Sequence, residues 1–445
     1  MGMTWRERIL FLGFALSILF LGYAVDRTVL SQVLLGYGVA FAIYFHGQEK
    51  KVTYGLKDLL VLAFALRVIL LFALPQLSDD YFRFIWDGLL QSIGENPFSN
   101  LPSAIQREDW ANIYEGMNSK DYYSVYPPVM QGVFKIATLI CNTSFLGNVV
   151  VMRMFLIAAD MLLIFFGWKF LEFLGRKGED IMLYALNPLV IIEGVGNLHF
   201  EVLMMSMTLI GIYFIAKSGG KNGWKKLAAA IVLLALGIAT KLTSTIGIPA
   251  LLRRLGFWKT LGLGLMVMIL VMLSFSSFLT NDLIMNIGDS LNLYFRNFQF
   301  NSSVYNLVDY FVKPYVYHYR AELIGPWIAL VGLLSMAMVM LFRKQNDWEG
   351  YLETLLFVFS IHLLFASTVH PWYVINLLVL SVFTRYRYPI LFSFTVVFSY
   401  HFYDLGFESP FFLYVEYLPV IGYALWEISK GVNENEIAAA VLRAE

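Results

Sequence analysis

Long apolar runs follow one another along almost the whole chain, and they constrain its fold more than any other feature. The first three cover residues 9–24, 29–45 and 59–75, and further candidates continue to residue 428. A helix that crosses a bilayer needs roughly 20 apolar residues. Several runs are shorter, so we expect about 12 to 14 spans in an all-α, polytopic membrane protein that forms one unit over residues 1–445.

Composition supports a membrane protein. Hydrophobic residues make up 59% of the chain and charged residues only 14%, whereas soluble domains carry roughly 25% charged residues. The formal net charge is zero, so nothing points to nucleic acid as a partner. The single cysteine, Cys141, excludes a disulfide within the chain and a cysteine-based metal site.

Lysine and arginine concentrate in alternate short loops, for example at Lys50, Lys51, Arg253 and Arg254. Cytoplasmic loops carry this excess in membrane proteins. The pattern predicts that both termini, including a tail over residues 430–445, are cytoplasmic. It also predicts that the unusual polar segments share the outer side; these are the segment around Asp79, His199, Lys241, the loop 281–322 and His370.

The acidic segment 78–97 follows the third apolar run. It places Asp79, Asp80, Arg83 and Asp87 within nine positions. On a helix, Arg83 is four residues from both Asp79 and Asp87, so one arginine could hold two carboxylates on one face. Ionisable residues near a bilayer usually mark a functional site. The alternative is a solvated helix start, since Ser-Asp-Asp is a good N-cap with acids at the positive end of the helix dipole.

Two outer loops are too long to be simple connectors. The first, residues 76–145, ends in Tyr126-Pro127-Pro128 and a helical pattern in which Gln131, Lys135 and Thr138 form a polar stripe. That stripe predicts a helix lying in the membrane interface, with a short span as the alternative. The second loop, residues 281–322, combines aromatic residues with amides such as Asn301, which suits either sugar binding or an interfacial aromatic belt.

These residues resemble the GT-C glycosyltransferases, and among them the bacterial membrane mannosyltransferases that use polyprenyl-phosphate sugars. The resemblance rests on DDYFRFIWDG, on Gly94-Glu95-Asn96-Pro97-Phe98, and on Tyr126-Pro127-Pro128. Weaker matches are FQFNSSVY, His370-Pro371-Trp372-Tyr373, and Asn187-Pro188 with Glu193 and His199. The two acids are adjacent here, whereas the family often separates them by a short spacer.

The resemblance implies transfer of a sugar, with mannose favoured, from a polyprenyl-phosphate carrier to an acceptor hydroxyl with inversion. Asp79 and Asp80 are then the catalytic acids, with Asp79 favoured as the base. The candidate substrate-binding residues are Arg83, Asp87, Tyr126, Lys135, His199, Lys241, Asn301, His370 and Tyr373. No cofactor is required, because phosphate leaves without a nucleotide; Asp79 and Asp80 could alternatively hold Mg²⁺.

The expected partners are the lipid-linked donor, a glycan or lipid-linked acceptor, and membrane lipids. The expected location is the bacterial inner membrane, with the active site on the outer, periplasmic side. Two other classes compete with the transferase. Outer acids and histidines could form a proton relay in a transporter or flippase, although paired halves are absent from the sequence. A polysaccharide polymerase or ligase shares the large outer loop but would use arginine and histidine more than paired aspartates.

Overall fold

Apolar helices build nearly the whole chain in a computed structural model that describes residues 5–50, 54–105, 107–220, 222–297, 299–316, 320–404 and 410–444. The α-helices in these ranges are α1 Trp5–Tyr23, α2 Leu30–Glu49, α3 Leu56–Val68, α4 Asp80–Ser92, α5 Ala111–Gly116, α6 Pro128–Cys141, α7 Phe145–Phe173, α8 Met182–Ala185, α9 Glu201–Ala216, α10 Gly223–Ile238, α11 Gly247–Ala250, α12 Leu252–Leu255, α13 Phe257–Ser274, α14 Leu283–Asn297, α15 Val304–Val312, α16 Arg320–Phe342, α17 Trp348–Phe365, α18 Val374–Val382, α19 Tyr388–Thr395 and α20 Phe411–Ala444.

The short helices between them are tighter or wider than an α-helix. The 3₁₀ segments are Pro102–Ala104, Glu108–Trp110, Gly178–Ile181, Leu242–Ile246, Ser276–Phe278, Pro371–Tyr373 and Val396–Tyr403, and Val190–Gly196 is a π-helix. In the described residues the only β-type pairing is an isolated parallel bridge between Phe300 and Thr368. The predicted all-α class is therefore confirmed.

Helices able to cross a bilayer are fewer than the hydropathy predicted. Within the described ranges, six are long and apolar enough: α2, α7, Leu323–Phe342 of α16, α13, α17 and Phe411–Gly431 of α20. A seventh span results if Val190–Gly196 and α9 count together, although the chain bends by 103° between them. The shorter apolar helices in these ranges are Arg8–Tyr23, Pro128–Cys141 and Pro371–Val382.

The main apolar cluster extends along the chain from Phe14 to Val420, and a second cluster surrounds α4 and α6. Gly88 permits the close packing of α4 on α6, since a Cβ there would lie 2.5 Å from the carbonyl oxygen of Phe134. The pattern on α6 differs from the predicted polar stripe. Gln131 and Thr138 are buried, whereas Lys135 is exposed.

Basic residues predicted to share the cytoplasmic side do lie near one another. Arg176, after α7, pairs with Glu349 of α17 at 2.9 Å, and Arg254 of α12 donates to the carbonyl of Asn346 at 2.8 Å. Residues 430–444, predicted as a tail, continue α20. The organisation as a single unit over residues 1–445 stays a prediction.

Candidate active site

The acidic pair lies at the start of α4. Asp80 is the first residue of the helix, and the backbone N–H of Asp80 donates a hydrogen bond to the hydroxyl of Ser78 at 3.3 Å. Asp79 occupies the N-cap position but its side chain makes no capping hydrogen bond. The local sequence therefore starts the helix as expected, while the carboxylate of Asp79 is available for another partner.

That partner is Arg27, in the turn between α1 and α2. Its guanidinium contacts the carboxylate of Asp79 and stacks 4.9 Å above the ring of Tyr403. The sequence suggested Arg83 as the residue that holds Asp79. Arg83 holds only Asp87, so that expectation was wrong for Asp79. The i,i+4 spacing allows Arg83 to pair with either Asp79 or Asp87. In the structure these two acids lie in different surroundings, and Arg83 pairs with Asp87.

Asp80 has a different environment. Its side chain is half-buried and has no hydrogen bond or ion pair within the described part of the chain. Burial raises the pKa of Asp80 to about 6; Asp79 and Glu201 also raise it, while Lys241 and Arg27 lower it. A carboxylate with a pKa near neutrality and no bound cation is suited to accept a proton at physiological pH.

Lys241 supplies positive charge next to this acid. It lies three residues after the end of α10, and its ammonium group pairs with Glu201 at the start of α9. It also lies 5.7 Å from the centre of the Tyr373 ring. The backbone explains its position, because the N–H of Val129 donates to the carbonyl of Ala239 at 2.9 Å and thereby joins the end of α10 to the first outer loop.

Aromatic rings form one wall of the site. The ring of Trp372 stacks on His199 with centroids 3.5 Å apart and on His370 with centroids 4.3 Å apart, and His370 stacks on Phe300 at 4.7 Å. The pairing of Phe300 with residues 367–369 brings these two distant motifs together. Burial, followed by the charge of Lys241, lowers the pKa of His370 to about 3, so its ring is neutral at pH 7.

His199 is positioned by a bend in the chain. Leu198, with φ of 63°, adopts the left-handed conformation at the sharp turn between Val190–Gly196 and α9. Such a backbone costs about 1–3 kcal/mol and persists only where its surroundings hold it. His199 Nε2 lies 3.6 Å from Glu193, whose carboxylate accepts hydrogen bonds from Tyr37 and Tyr400 at 2.6 Å each.

Arg153 joins the supporting elements. Its buried guanidinium donates to five carbonyl oxygens, those of Leu70, Leu71, Ala73, Val195 and Gly196, at 2.5–3.0 Å. The first three carbonyls come just after the end of α3, and the other two are at the end of the π-helix. Helix C-termini carry carbonyl acceptors without intrahelical partners and a partial negative charge. Arg153 thereby fixes the chain that enters the acidic segment against the chain that carries Glu193 and His199.

The predicted site residues divide into two groups. One group comes together in the structure: Asp79, Asp80, Lys241, His199, His370 and Tyr373. Arg83 and Asp87 instead form a buried pair at 2.7 Å, which also binds the carbonyls of Ser119 and Tyr122 and the side chains of Ser124 and Gln131. Their contacts hold the first outer loop on α4.

Three other predicted residues lie outside the cluster. Tyr126 packs edge-on against Phe84 and Phe134, in the second apolar cluster. Lys135 is exposed on α6. Asn301 is fully buried, where its amide donates to Glu416 at 2.8 Å, so it anchors the second outer loop on α20. A substrate-binding role for these residues stays a prediction.

Sequence reasoning missed Arg27, Glu201 and Tyr403 as members of the site. Arg27 had one detectable signal: it is an arginine in a short loop on the side where basic residues are rare. Glu201 and Tyr403 had none, because each sits at the end of an apolar run and only the packing of distant helices brings it to Asp80.

A magnesium site at the acidic pair does not fit the residues present. Mg²⁺ favours six oxygen ligands, with carboxylates free to bind it. Asp79 is engaged by Arg27, and the described residues contain no group of three or more His, Cys, Asp and Glu side chains that could hold a metal ion.

Comparison with known proteins identifies the relatives of this chain. The family described as "Alpha-(1->6)-mannopyranosyltransferase, N-terminal domain" matches residues 12–255. Alpha-(1->6)-mannopyranosyltransferase A of Mycobacterium tuberculosis is 27% identical over 187 residues, which are 41% of this chain and 34% of the relative. The protein of the same name from Corynebacterium glutamicum is 23% identical over 197 residues, 42% and 36% of the two chains. No solved structure matches.

The chain thus aligns with about a third of the length of these relatives. The matched residues 12–255 include Arg27, both acids of the pair, His199 and Lys241, whereas the wall residues from Phe300 onward lie beyond them. The match covers more than half of the chain, and it confirms the resemblance to GT-C mannosyltransferases. The chain belongs to the alpha-(1->6)-mannopyranosyltransferase family.

Proposed function

We propose that the chain transfers a mannosyl group from a polyprenyl-phosphate carrier to a hydroxyl of a glycan acceptor, with inversion at the anomeric carbon. The proposal depends above all on Asp80, an acid with a raised pKa that lies near two cations and has no ion pair in the described residues. The names of the relatives support mannose as the sugar. No observation in the described residues favours a transporter or a polymerase.

Asp80 is the proposed base. As the acceptor oxygen bonds to the anomeric carbon, its proton moves to the carboxylate of Asp80 and the bond from that carbon to the phosphate oxygen breaks. General-base catalysis of this kind contributes roughly 10²–10⁴-fold. We assign this role to Asp80 rather than to Asp79, because Arg27 occupies the carboxylate of Asp79, whereas the carboxylate of Asp80 has no side-chain partner in the described residues.

The leaving phosphate gains negative charge, which positive groups must stabilise. Lys241 and Arg27 lie near Asp80 and affect its pKa, so both are close enough to serve. His370 cannot add a charge, because its ring is neutral at pH 7, but it can donate a hydrogen bond and form the wall against which a sugar packs. The residues Glu201 and Asp79 keep the two cations in place.

The carrier explains the need for a membrane. A polyprenyl chain is soluble only among apolar surfaces, and α13, α16 and α20 expose most of their apolar side chains. We propose that the protein lies in the bacterial inner membrane with both termini cytoplasmic and with Asp80 at the outer face. The alternation of basic loops supports this orientation.

The test uses the full chain in lipid nanodiscs with synthetic polyprenyl-phosphate β-mannose and a linear α-(1→6)-mannotetraose. We expect mannotetraose to be extended by one α-linked residue, identified by NMR of its anomeric proton, and polyprenyl phosphate to be released in equal amount. A β-linked product would contradict inversion. Transfer from GDP-mannose but not from the lipid would overturn the proposed donor.

A further inference from the structure

A cavity lies between the two outer loops. Its volume is about 410 Å³, within the range of roughly 300–1,000 Å³ that is usual for small-molecule sites. The first outer loop and α14 supply its walls, lined by Leu101, Asp121, Tyr123, Asp289, Ser290 and Asn292. None of these six residues belongs to the cluster around Asp80.

The walls are held together by specific contacts. Asn286 of α14 donates to the carbonyl of Phe98 at 2.9 Å, and Asn96 donates to the carbonyl of Phe278 at 3.0 Å. Phe98, Phe278 and Leu283 form a small apolar cluster beneath these bonds. These contacts fix the two walls of the cavity relative to each other, and the cavity is open to the surface, since Asp121, Asp289 and Asn292 are exposed.

Ser290 gives independent evidence for a ligand. It lines the cavity, its side chain is only 1% exposed, and its hydroxyl has no hydrogen-bond partner within the described ranges. A buried hydroxyl without a partner costs about 1–3 kcal/mol, so buried polar groups are nearly always satisfied. A polar molecule in the cavity would supply the missing partner.

The charge of the cavity selects the kind of molecule. Asp121 and Asp289 face it without an ion pair in the described residues, so a phosphate would be repelled. The two acids are too few to form a metal-binding group among those residues. Carboxylates, an amide and a hydroxyl beside the ring of Tyr123 suit a neutral molecule that carries many hydroxyl groups.

The cavity is connected to the acidic helix. Asp121 and Tyr123 flank Tyr122, whose carbonyl accepts a hydrogen bond from Arg83 at 2.9 Å, one helical turn along α4 from Asp80. We propose that this cavity binds the neutral glycan acceptor, away from the anionic donor. The assignment of the glycan as an acceptor rests on the proposed function; the existence of the binding site does not.

The test measures binding and transfer separately. Isothermal titration with α-(1→6)-mannotetraose on the purified full chain gives a Kd that requires no turnover. We expect Asp121→Asn combined with Asp289→Asn to raise this Kd about tenfold, and the acceptor KM by a similar factor, with the donor KM unchanged. Ser290→Ala should weaken binding about threefold and, since it removes an unpaired group, leave Tm unchanged or higher.

Asp282→Asn, which alters an exposed acid just before α14, is the control and should change neither constant. An unchanged Kd in the folded double variant would overturn the inference even if transfer occurs. If the parent chain bound Ca²⁺ in the absence of glycan and the double variant did not, the choice of a neutral ligand would be overturned. The parent chain could bind the glycan through the cavity and yet show no transfer activity. That result would support the binding site and would count only against the proposed reaction.

Discussion

Arg27 contacts the carboxylate of Asp79 across 52 positions of the chain, while the neighbouring carboxylate of Asp80 has no such partner in the described residues. Two adjacent acids thus have different environments. An ion-paired carboxylate keeps its charge and orients its partner, whereas a half-buried unpaired carboxylate takes up a proton more readily. This difference separates their proposed roles and can be tested directly.

Replacing Asp80 with asparagine should lower the turnover number by about 10²–10⁴-fold, because the amide cannot accept the acceptor proton. Asp79→Asn should lower it less, since it removes only the partner of Arg27. Both variants should keep the Tm and elution profile of the parent chain.

Asp109→Asn is the matched control for these two variants, because Asp109 is an exposed acid in the same loop and pairs with the exposed Arg107. Turnover should be unchanged. If Asp80→Asn kept full activity and Asp79→Asn lost it, the roles of the two acids would be reversed.

The pH dependence follows from the pKa of Asp80. A base is active when deprotonated, so kcat/KM should fall about tenfold for each pH unit below about 6 and level off above it. Glu201→Gln should move this limb to lower pH, because it removes a negative charge that raises the pKa of Asp80. A profile that is flat from pH 4.5 to 7 would exclude Asp80 as the base.

Much of this arrangement could be anticipated from the sequence. Hydropathy and the alternation of basic loops predicted that Asp79, His199, Lys241 and His370 share one side, and the helices bring them together. Their partners could not be anticipated. Arg27 meets Asp79 only because α1, α2 and the segment before α4 pack side by side, and no local pattern encodes that contact.

Lys241→Met should reduce turnover by about 10²–10³-fold, the usual effect of removing one group that stabilises developing negative charge. Lys241→Arg should recover part of the loss, because it keeps the positive charge. Initial rates across donor concentrations would separate kcat from KM.

Lys225→Met is the control, since Lys225 is an exposed lysine on α10. Its kcat and KM should equal those of the parent chain. A Lys241→Met chain whose only defect is a higher KM for the acceptor would argue that Lys241 does not act on the leaving phosphate.

Local patterns do not show which polar residues are held by internal partners. Arg83 and Asp87 are charged residues in the acidic segment, which made them candidates for substrate binding. Arg83 donates to two backbone carbonyls of the first outer loop, and Asp87 accepts hydrogen bonds from the side chains of Ser124 and Gln131. Asn301 is similar, because it lies in an amide-rich loop yet is buried against Glu416. Burial depends on the complete fold, so composition alone cannot distinguish a ligand-facing polar residue from one that pairs internally.

Arg153→Met should destabilise the protein and reduce activity together. The change removes the charged donor from five carbonyls, and each buried one left without a partner costs about 1–3 kcal/mol. We expect Tm to fall by roughly 5 °C or more. Arg153→Lys should recover only part of this, because an ammonium group cannot reach both sets of carbonyls as the planar guanidinium does.

Arg107→Met is the matched control for Arg153, because Arg107 is exposed, pairs with Asp109 and lies over Trp110. Its Tm should stay within about 1 °C of the parent, since an exposed ion pair contributes little. Differential scanning fluorimetry and transfer rates at 20 °C provide the two readouts. A folded Arg153→Met chain with the parent's Tm but no activity would contradict the structural role, and would place the guanidinium in the reaction itself.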